Sequence, residues 1–138
     1  MTRTATTLLI VDDDPAIRRT IARWLRSREF TVTEAGTAGE ALDQMAEHAA
    51  AITVCDVGLP DRNGLWLAAQ MKRQFPHTAL IITTGFGIAA LPSNLDAEAI
   101  GYLPKPFTKQ QLLRTLDWAI EWRHEHAYEA VSLSGLAR

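Results

Sequence analysis

Three consecutive carboxylates, Asp12, Asp13 and Asp14, follow an apolar run at residues 8–11. The run has the length and the β-branched character of a buried strand. Ligands of parallel α/β sheets bind at the carboxyl ends of the strands, so these acids lie where a ligand is expected. Hard oxygen ligands at this density suit Mg2+, which is usually held by one or two carboxylates together with water and phosphate oxygens.

Asp14 has a second explanation. Asp14 followed by Pro15 is a favourable N-cap and N1 pair, and it predicts a helix that begins here and reaches about Arg28. We therefore assign Asp14 mainly to helix initiation. Capping does not account for Asp12 and Asp13, because two adjacent carboxylates repel each other and need a compensating cation.

Polar side chains also follow three later strands. Asp56 ends an apolar segment at residues 50–56, Thr84 ends another at 79–84, and Lys105 follows a short strand around Tyr102. Segments with helical periodicity separate the strands. This alternation predicts an α/β fold with a doubly wound, five-stranded parallel sheet and helices on both faces. The acids, the hydroxyl and the amine would then meet at one edge of that sheet.

This set of side chains suits phosphoryl transfer. A carboxylate is a weak nucleophile toward phosphorus because both partners are negatively charged. A metal ion that bridges them removes the repulsion, and an ammonium group can neutralise the remaining oxygen charge. Phosphoryl transfer depends mainly on positioning and charge stabilisation, and these residues supply both.

Four motifs make the chain resemble the receiver domains of two-component response regulators, the CheY-like superfamily. They lie at residues 8–14, 55–64, 82–85 and 101–107. The resemblance implies a flavodoxin-like sheet with strand order 2-1-3-4-5 and Asp56 as the phosphoacceptor. It also implies that Mg2+ is bound directly by Asp13, by Asp56 and by the backbone carbonyl of Gly58, and through a water molecule by Asp12.

The same resemblance implies roles for the later residues. Lys105 and Thr84 would bind phosphoryl oxygens, and Thr84 with Tyr102 would form a switch in which the ring moves inward after phosphorylation. The Lys105–Pro106 bond resembles a cis peptide that is common in the family. The implied partner is a sensor histidine kinase or a histidine phosphotransfer protein. The implied role is that of a signalling phosphoacceptor, which catalyses only its own phosphorylation and dephosphorylation and is not a conventional enzyme.

The composition is that of one ordinary domain. The chain has 138 residues, a net charge of −2 and a single cysteine, Cys55, which we expect to be a buried thiol. A net charge near zero does not indicate direct nucleic-acid binding. The five arginines at residues 18–28 form either a docking surface for a partner or a solvated helix face. We find no signal peptide and no stretch of membrane-spanning length. We therefore expect a cytoplasmic protein without membrane contact.

The segment between Thr84 and Tyr102 departs from the family pattern. Pro92 would interrupt a helix that began near Ile88, and Ser93 or Asn94 offers a new N-cap. We therefore predict a shortened or irregular fourth helix, preceded by a mobile loop at residues 86–93.

The last helix, from about Lys109, carries two prominent tryptophans. Its leucines at 112, 113 and 116 and Ile120 share one face, which we expect to pack on the sheet. Trp118 and Trp122 would then point roughly the opposite way. Either they form a contact surface for a homodimer, or the C-terminal tail folds back over them.

The domain assignment is a receiver domain at residues 5–125 and a C-terminal helix extension or tail at 126–138. If the chain is complete, it acts through protein contacts, as a terminal signal or as a phosphate relay. If it is part of a longer regulator, the last helix leads to an output domain. A third alternative is a phosphohydrolase of the haloacid dehalogenase type, but Pro15 and Ala16 do not fit its Asp-x-Asp motif, and Asp56 would have no role in it.

Overall fold

The computed structural model describes residues 5–26, 28–85 and 100–136, with side chains as far as residue 126. Strands and helices alternate along this part of the chain. In order they are β1 (Thr6–Val11), α1 (Pro15–Leu25), β2 (Phe30–Ala35), α2 (Ala38–Glu47), β3 (Ile52–Asp56), α3 (Gly64–Gln74), β4 (Ala79–Thr84), β5 (Ile100–Pro104) and α4 (Lys109–Leu136).

All five strands form one parallel sheet in the order β2-β1-β3-β4-β5. This confirms the predicted doubly wound sheet and its strand order. Because the strands are parallel, their carboxyl ends share one edge, which holds the residues that follow β1, β3, β4 and β5. The shortened fourth helix and the mobile loop predicted before β5 lie outside the described residues.

The sheet is buried on both faces, and alternate residues of each strand enter different cores. In β1, Leu9 and Val11 pack in the core with α2 and α3. Leu8 and Ile10 pack in the other core with α1 and α4. A strand buried on both faces needs a continuous apolar run, which is why the segment before Asp12 has no polar alternation.

Helix α4 packs on the sheet through a face that differs from the predicted one. Leu112 and Leu116 are buried as expected, but Leu113 and Ile120 are only partly buried. The rest of the buried face consists of Ala119 and Trp122, which are 0% and 8% exposed.

The predicted exposed surface at Trp118 and Trp122 is therefore wrong. Trp122 belongs to the core, the Lys72 ammonium lies 4.4 Å from its ring centroid, and the His126 ring stacks on it at 4.2 Å. Trp118 packs over Gly101 of β5, where a Cβ atom would lie 2.7 Å from the indole ring. The missing side chain at Gly101 makes room for the indole, and the predicted homodimer loses the pair of residues on which it was based.

Helix α4 continues without interruption from Lys109 to Leu136. The segment assigned to the C-terminal helix extension or tail thus continues this helix as far as Leu136, and the domain assignment itself stays a prediction. Within the described residues, none of the helices combines the length and the apolar character needed to cross a bilayer.

Candidate functional site

Three carboxylates converge at the carboxyl edge of the sheet. Asp12 and Asp13 follow β1, Asp56 ends β3, and one oxygen from each lies within 4.8 Å of the others. Asp12 and Asp56 are 3% and 8% exposed, whereas Asp13 is exposed to solvent. Asp56 lies more than forty positions after Asp12 and Asp13 in the sequence, and the fold brings the three acids into one cluster, as predicted.

Lys105 supplies the positive charge of this cluster. Its Nζ atom lies 3.0 Å from Asp12 Oδ2 and 3.1 Å from Asp56 Oδ1. The backbone directs the side chain there, because the Lys105 N–H donates to the carbonyl of Thr84 at 2.8 Å. The Lys105–Pro106 peptide is cis, as predicted.

Burial and ion pairing determine the protonation of Asp12 and Lys105. Burial raises the pKa of the Asp12 carboxyl above its usual value, although hydrogen bonds from the Asp14 N–H and from Lys105 oppose the rise. Burial lowers the pKa of Lys105, but hydrogen bonds to Asp12 and Asp56 outweigh it and the net pKa is raised. The lysine is therefore a firmly charged ammonium.

Local hydrogen bonds shape the turn that carries Asp12 and Asp13. Asp14 caps α1 by accepting the Ala16 N–H at 2.9 Å, with Pro15 as the first helical residue, which confirms its predicted role. The Asp14 N–H in turn donates to Asp12 Oδ1 at 2.9 Å. The chain therefore enters the helix immediately, and Asp13 remains at the open side of the cluster.

The loop between β3 and α3 depends on two glycines. The Gly64 N–H donates to the carbonyl of Val57 at 2.8 Å, and a Cβ atom on Gly64 would lie 2.0 Å from the backbone oxygen of Asp56. Only glycine permits this close approach. A Cβ atom on Gly58 would lie 3.5 Å from Asp56 Oδ2, so this residue borders the Asp56 carboxylate without a side chain.

The two predicted switch residues lie on neighbouring strands. Thr84 is the last residue of β4 and is 5% exposed. Tyr102 is half-buried in the middle of β5, next to Ile82 of β4. Their roles in switching stay predictions.

Two contacts of this site were not predicted from the sequence. The Asp61 carboxylate accepts the N–H groups of Ala38 and Gly39 at 2.9 and 3.0 Å, which ties the loop after β3 to the first turn of α2. These hydrogen bonds lower the pKa of Asp61. Arg18, which we had grouped with the exposed arginines of α1, contacts the backbone of Asp12 and the side chain of Glu34.

Asp61 gave no local signal, because its partners lie more than twenty residues away. Arg18 could have been found: it lies four residues after Asp14, one helical turn from the cap, and therefore faces the end of β1.

The donor set fits a hard divalent cation. Asp12, Asp13 and Asp56 offer carboxylate oxygens within one ligand shell, and one of the three acids faces solvent, through which water and phosphate can complete the coordination. The buried Cys55 is not a competing soft ligand, because burial raises the pKa of its thiol and keeps it protonated.

Comparison with known proteins agrees with this geometry. The sequence pattern of the response regulator receiver domain matches residues 8–117. The chain belongs to the response regulator receiver domain family. It is a member of a signalling family, as predicted.

Two curated relatives illustrate the range of proteins that contain such a domain. The chain is 37% identical over 118 residues to the sensor kinase CckA of Brucella abortus (strain 2308), an alignment that covers 83% of this chain and 12% of that protein. It is 35% identical over 107 residues to the response regulator MprA of Mycobacterium sp. (strain KMS), covering 77% and 46%. The chain thus spans less than half the length of these relatives.

A solved structure shows the same fold. The signal receiver domain of an HD domain-containing protein from Pseudomonas fluorescens Pf-5 superposes with a TM-score of 0.84 at 27% identity, covering 93% of this chain and 96% of that one. NtrX from Brucella abortus, solved in complex with ADP, has a TM-score of 0.81 at 23% identity over 91% of this chain and 29% of its own.

Proposed function

We propose that Asp56 accepts a phosphoryl group in a Mg2+-dependent reaction and that this modification switches the protein contacts of the domain. One observation carries the proposal: a single ammonium group, Lys105 Nζ, lies within 3.1 Å of carboxylate oxygens from both Asp12 and Asp56. The contact of one positive charge with Asp56 and with the acidic cluster at the same edge of the sheet supports this proposal.

In the proposed reaction an Asp56 carboxylate oxygen attacks the phosphorus atom of a phosphorylated histidine. The new oxygen–phosphorus bond replaces the nitrogen–phosphorus bond, and the imidazole leaves with its electron pair. Asp13, Asp56 and the Gly58 carbonyl would hold Mg2+, and Asp12 would hold it through water. The bound ion supplies positive charge to the transferring phosphoryl oxygens.

Lys105 and Thr84 would then bind the phosphoryl oxygens. The Lys105 ammonium already lies beside Asp56, so it needs only to exchange a carboxylate partner for a phosphate oxygen. The Thr84 hydroxyl would contact another phosphoryl oxygen and let the Tyr102 ring move inward. Phosphorylation shifts the population of this switch only by the stability it gives to the active packing.

A sensor histidine kinase or a histidine phosphotransfer protein is the proposed donor, and the domain works in the cytoplasm. The relatives include both a sensor kinase and a response regulator, which supports a role in such a pathway. The domain acts either as a terminal signal, as a relay, or as part of a longer regulator with an output domain.

The test is a stoichiometry experiment with purified histidine kinases and phosphotransfer proteins. We expect the wild-type protein to take up one phosphoryl group per chain with Mg2+, and Asp56→Asn to take up none. Continuous turnover of a general phosphatase substrate, without stable labelling of Asp56, would contradict the proposal and support a haloacid dehalogenase-type hydrolase.

A further inference from the structure

We propose that Arg18 is a positioning residue, whose guanidinium group bridges the Asp12 backbone and Glu34 and thereby sets the metal-binding geometry of Asp12 and Asp13. This inference rests on the proposed Mg2+-dependent function. It assigns a role to a side chain that touches neither the metal ligand oxygens nor the acceptor carboxylate.

The two contacts of Arg18 use different nitrogen atoms. Nη1 donates to the backbone carbonyl of Asp12 at 2.5 Å, and Nε donates to Glu34 Oε1 at 3.1 Å. The Arg18 side chain is 20% exposed and that of Glu34 is 42% exposed. The planar guanidinium group therefore joins the turn after β1 to the end of β2, and Glu34 holds it in orientation.

Asp12 is consequently held at each of its polar groups. Its N–H donates to the carbonyl of Ala35 at 3.1 Å, and its carboxylate accepts from the Asp14 N–H and from Lys105. Arg18 holds the remaining group, the backbone carbonyl.

That carbonyl belongs to the peptide unit that joins Asp12 to Asp13. A peptide unit is planar, so fixing the direction of its C=O bond also fixes the amide from which Asp13 extends. Asp13 is exposed, and its side chain therefore depends on the backbone for its direction. Removal of the Arg18 contact would release the acid that is expected to bind the metal directly.

The choice of a carbonyl acceptor matters for charge. The guanidinium group stays charged at all accessible pH values, and at the site it donates to the neutral carbonyl oxygen of Asp12. The carboxylates of Asp12 and Asp13 therefore keep the lone pairs that this contact would otherwise occupy. Lys105 differs, because its ammonium lies on the carboxylate oxygens themselves. The guanidinium group also packs closely against residue 36, where a Cβ atom would lie 3.3 Å from Arg18 Nη1. Glycine at this position leaves room for the arginine.

The neighbouring Arg19 provides a matched control. It has the same charge on the same helix and is exposed to solvent. Comparison of Arg18→Ala with Arg19→Ala therefore separates the geometric role from the effect of one lost positive charge. Arg18→Lys keeps the charge and provides a conservative variant, but a single ammonium cannot reproduce the planar two-nitrogen bridge.

The experiment measures the Mg2+ dissociation constant of each variant by titration calorimetry. Loss of a side chain that orients metal ligands typically weakens metal binding about 10–100-fold, and we expect Arg18→Ala to fall in this range. Arg18→Lys should bind Mg2+ more weakly than wild type, and Arg19→Ala should bind it as wild type does.

Hydrogen–deuterium exchange of the metal-free proteins supplies a second readout. The Asp12 N–H donates to the carbonyl of Ala35, and the Asp14 N–H donates to Asp12 Oδ1. Both N–H groups should exchange faster in both Arg18 variants and at the wild-type rate in Arg19→Ala. Wild-type Mg2+ affinity in both Arg18 variants, or equal weakening in Arg18→Ala and Arg19→Ala, would overturn the inference. Failure of the wild-type protein to bind Mg2+ would instead contradict the proposed function on which it rests.

Discussion

Lys105 is the residue on which the charge balance of the site depends. Three carboxylates lie within one ligand shell, and the described contacts place a single ammonium group against two of them. A Mg2+ ion brought to the same oxygens meets a positive charge already there. We therefore expect the lysine to oppose metal binding and, in the proposed phosphoryl transfer, to assist by neutralising the oxygens of the transferring group.

Replacement of Lys105 by methionine should separate these two effects. We expect Lys105→Met to bind Mg2+ at least about tenfold more tightly, because unit charges about 4 Å apart interact by several kcal/mol at an effective dielectric constant near 20. The same variant should accept phosphate more slowly. Calorimetry and a phosphorylation time course measure the two quantities, and Lys109→Met, at the exposed start of α4, is the control. Weaker Mg2+ binding in Lys105→Met would contradict this charge balance.

Asp61 leads to a prediction about pH. Its folded pKa is depressed by the N–H groups of Ala38 and Gly39, so its contribution to stability is complete above the usual aspartate value of 3.8 and is lost as the pH falls through the lower folded pKa. The backbone N–H of Arg62 also donates to Asp61 Oδ1, at 3.0 Å, and lowers the same pKa.

We therefore expect wild type to have a higher melting temperature than Asp61→Ala near neutral pH. The difference should narrow only below the usual pKa of aspartate, and then disappear. Thermal melts of both proteins across the acid range provide the test. A difference that stays constant to the lowest pH, or one that grows, would show that the carboxylate does not act through these hydrogen bonds.

At the scale of elements, the loop between β3 and α3 is held by close backbone packing. A Cβ atom on Gly64 would lie 2.0 Å from the Asp56 backbone oxygen and 2.7 Å from the Val57 Cα atom, so alanine there must displace the loop. We expect Gly64→Ala to lower the free energy of unfolding by about 1–3 kcal/mol, the usual cost of overpacking.

Gly85 offers a control for that substitution, because a Cβ atom there would meet no heavy atom of the described residues within 4 Å. Gly85→Ala should therefore leave the free energy of unfolding nearly unchanged. Urea denaturation of the three proteins measures the difference. Equal stabilities for Gly64→Ala and wild type would mean that the loop accommodates a side chain and does not constrain Asp56.

The packing of α4 on the sheet indicates that Trp122 contributes to the stability of the fold. Its ring is 8% exposed and lies in the core shared with α1 and the sheet. We expect Trp122→Ala to lower the free energy of unfolding by about 3–5 kcal/mol, as for other buried aromatic truncations. Urea denaturation and sedimentation together are the measurement. A small loss of stability accompanied by a changed oligomeric state would contradict this assignment and support the dimer contact that was predicted from the sequence.

At the scale of the whole molecule, the sheet and its acid cluster could both be predicted from the sequence, because both follow from the pattern of the buried strands. Strands buried on both faces appear as apolar runs, and the acids or hydroxyl that end them, such as Asp12, Asp56 and Thr84, identify the functional edge. These features depend on local pattern and on the regular right-handed topology of parallel sheets.

Other features depend on contacts that no local pattern records. The orientation of Trp122 depends on which side of α4 meets the sheet, and Gly101, on a different element, decides how closely Trp118 can approach. The bonds from Asp61 to α2 join residues 22 and 23 positions apart. A sequence position alone does not reveal such pairs, because their spacing follows from the assembled fold.

The central claim is that the edge of the sheet assembles one phosphoacceptor site around Asp56. Its most direct test is incubation with a phosphodonor, with and without Mg2+, followed by mass spectrometry of the intact protein and then peptide mapping. We predict a single phosphoryl group on Asp56, formed only with Mg2+ and absent from Asp56→Asn. A phosphoryl group on any other residue, or labelling of Asp56 that is equally fast after the metal is chelated, would contradict the account.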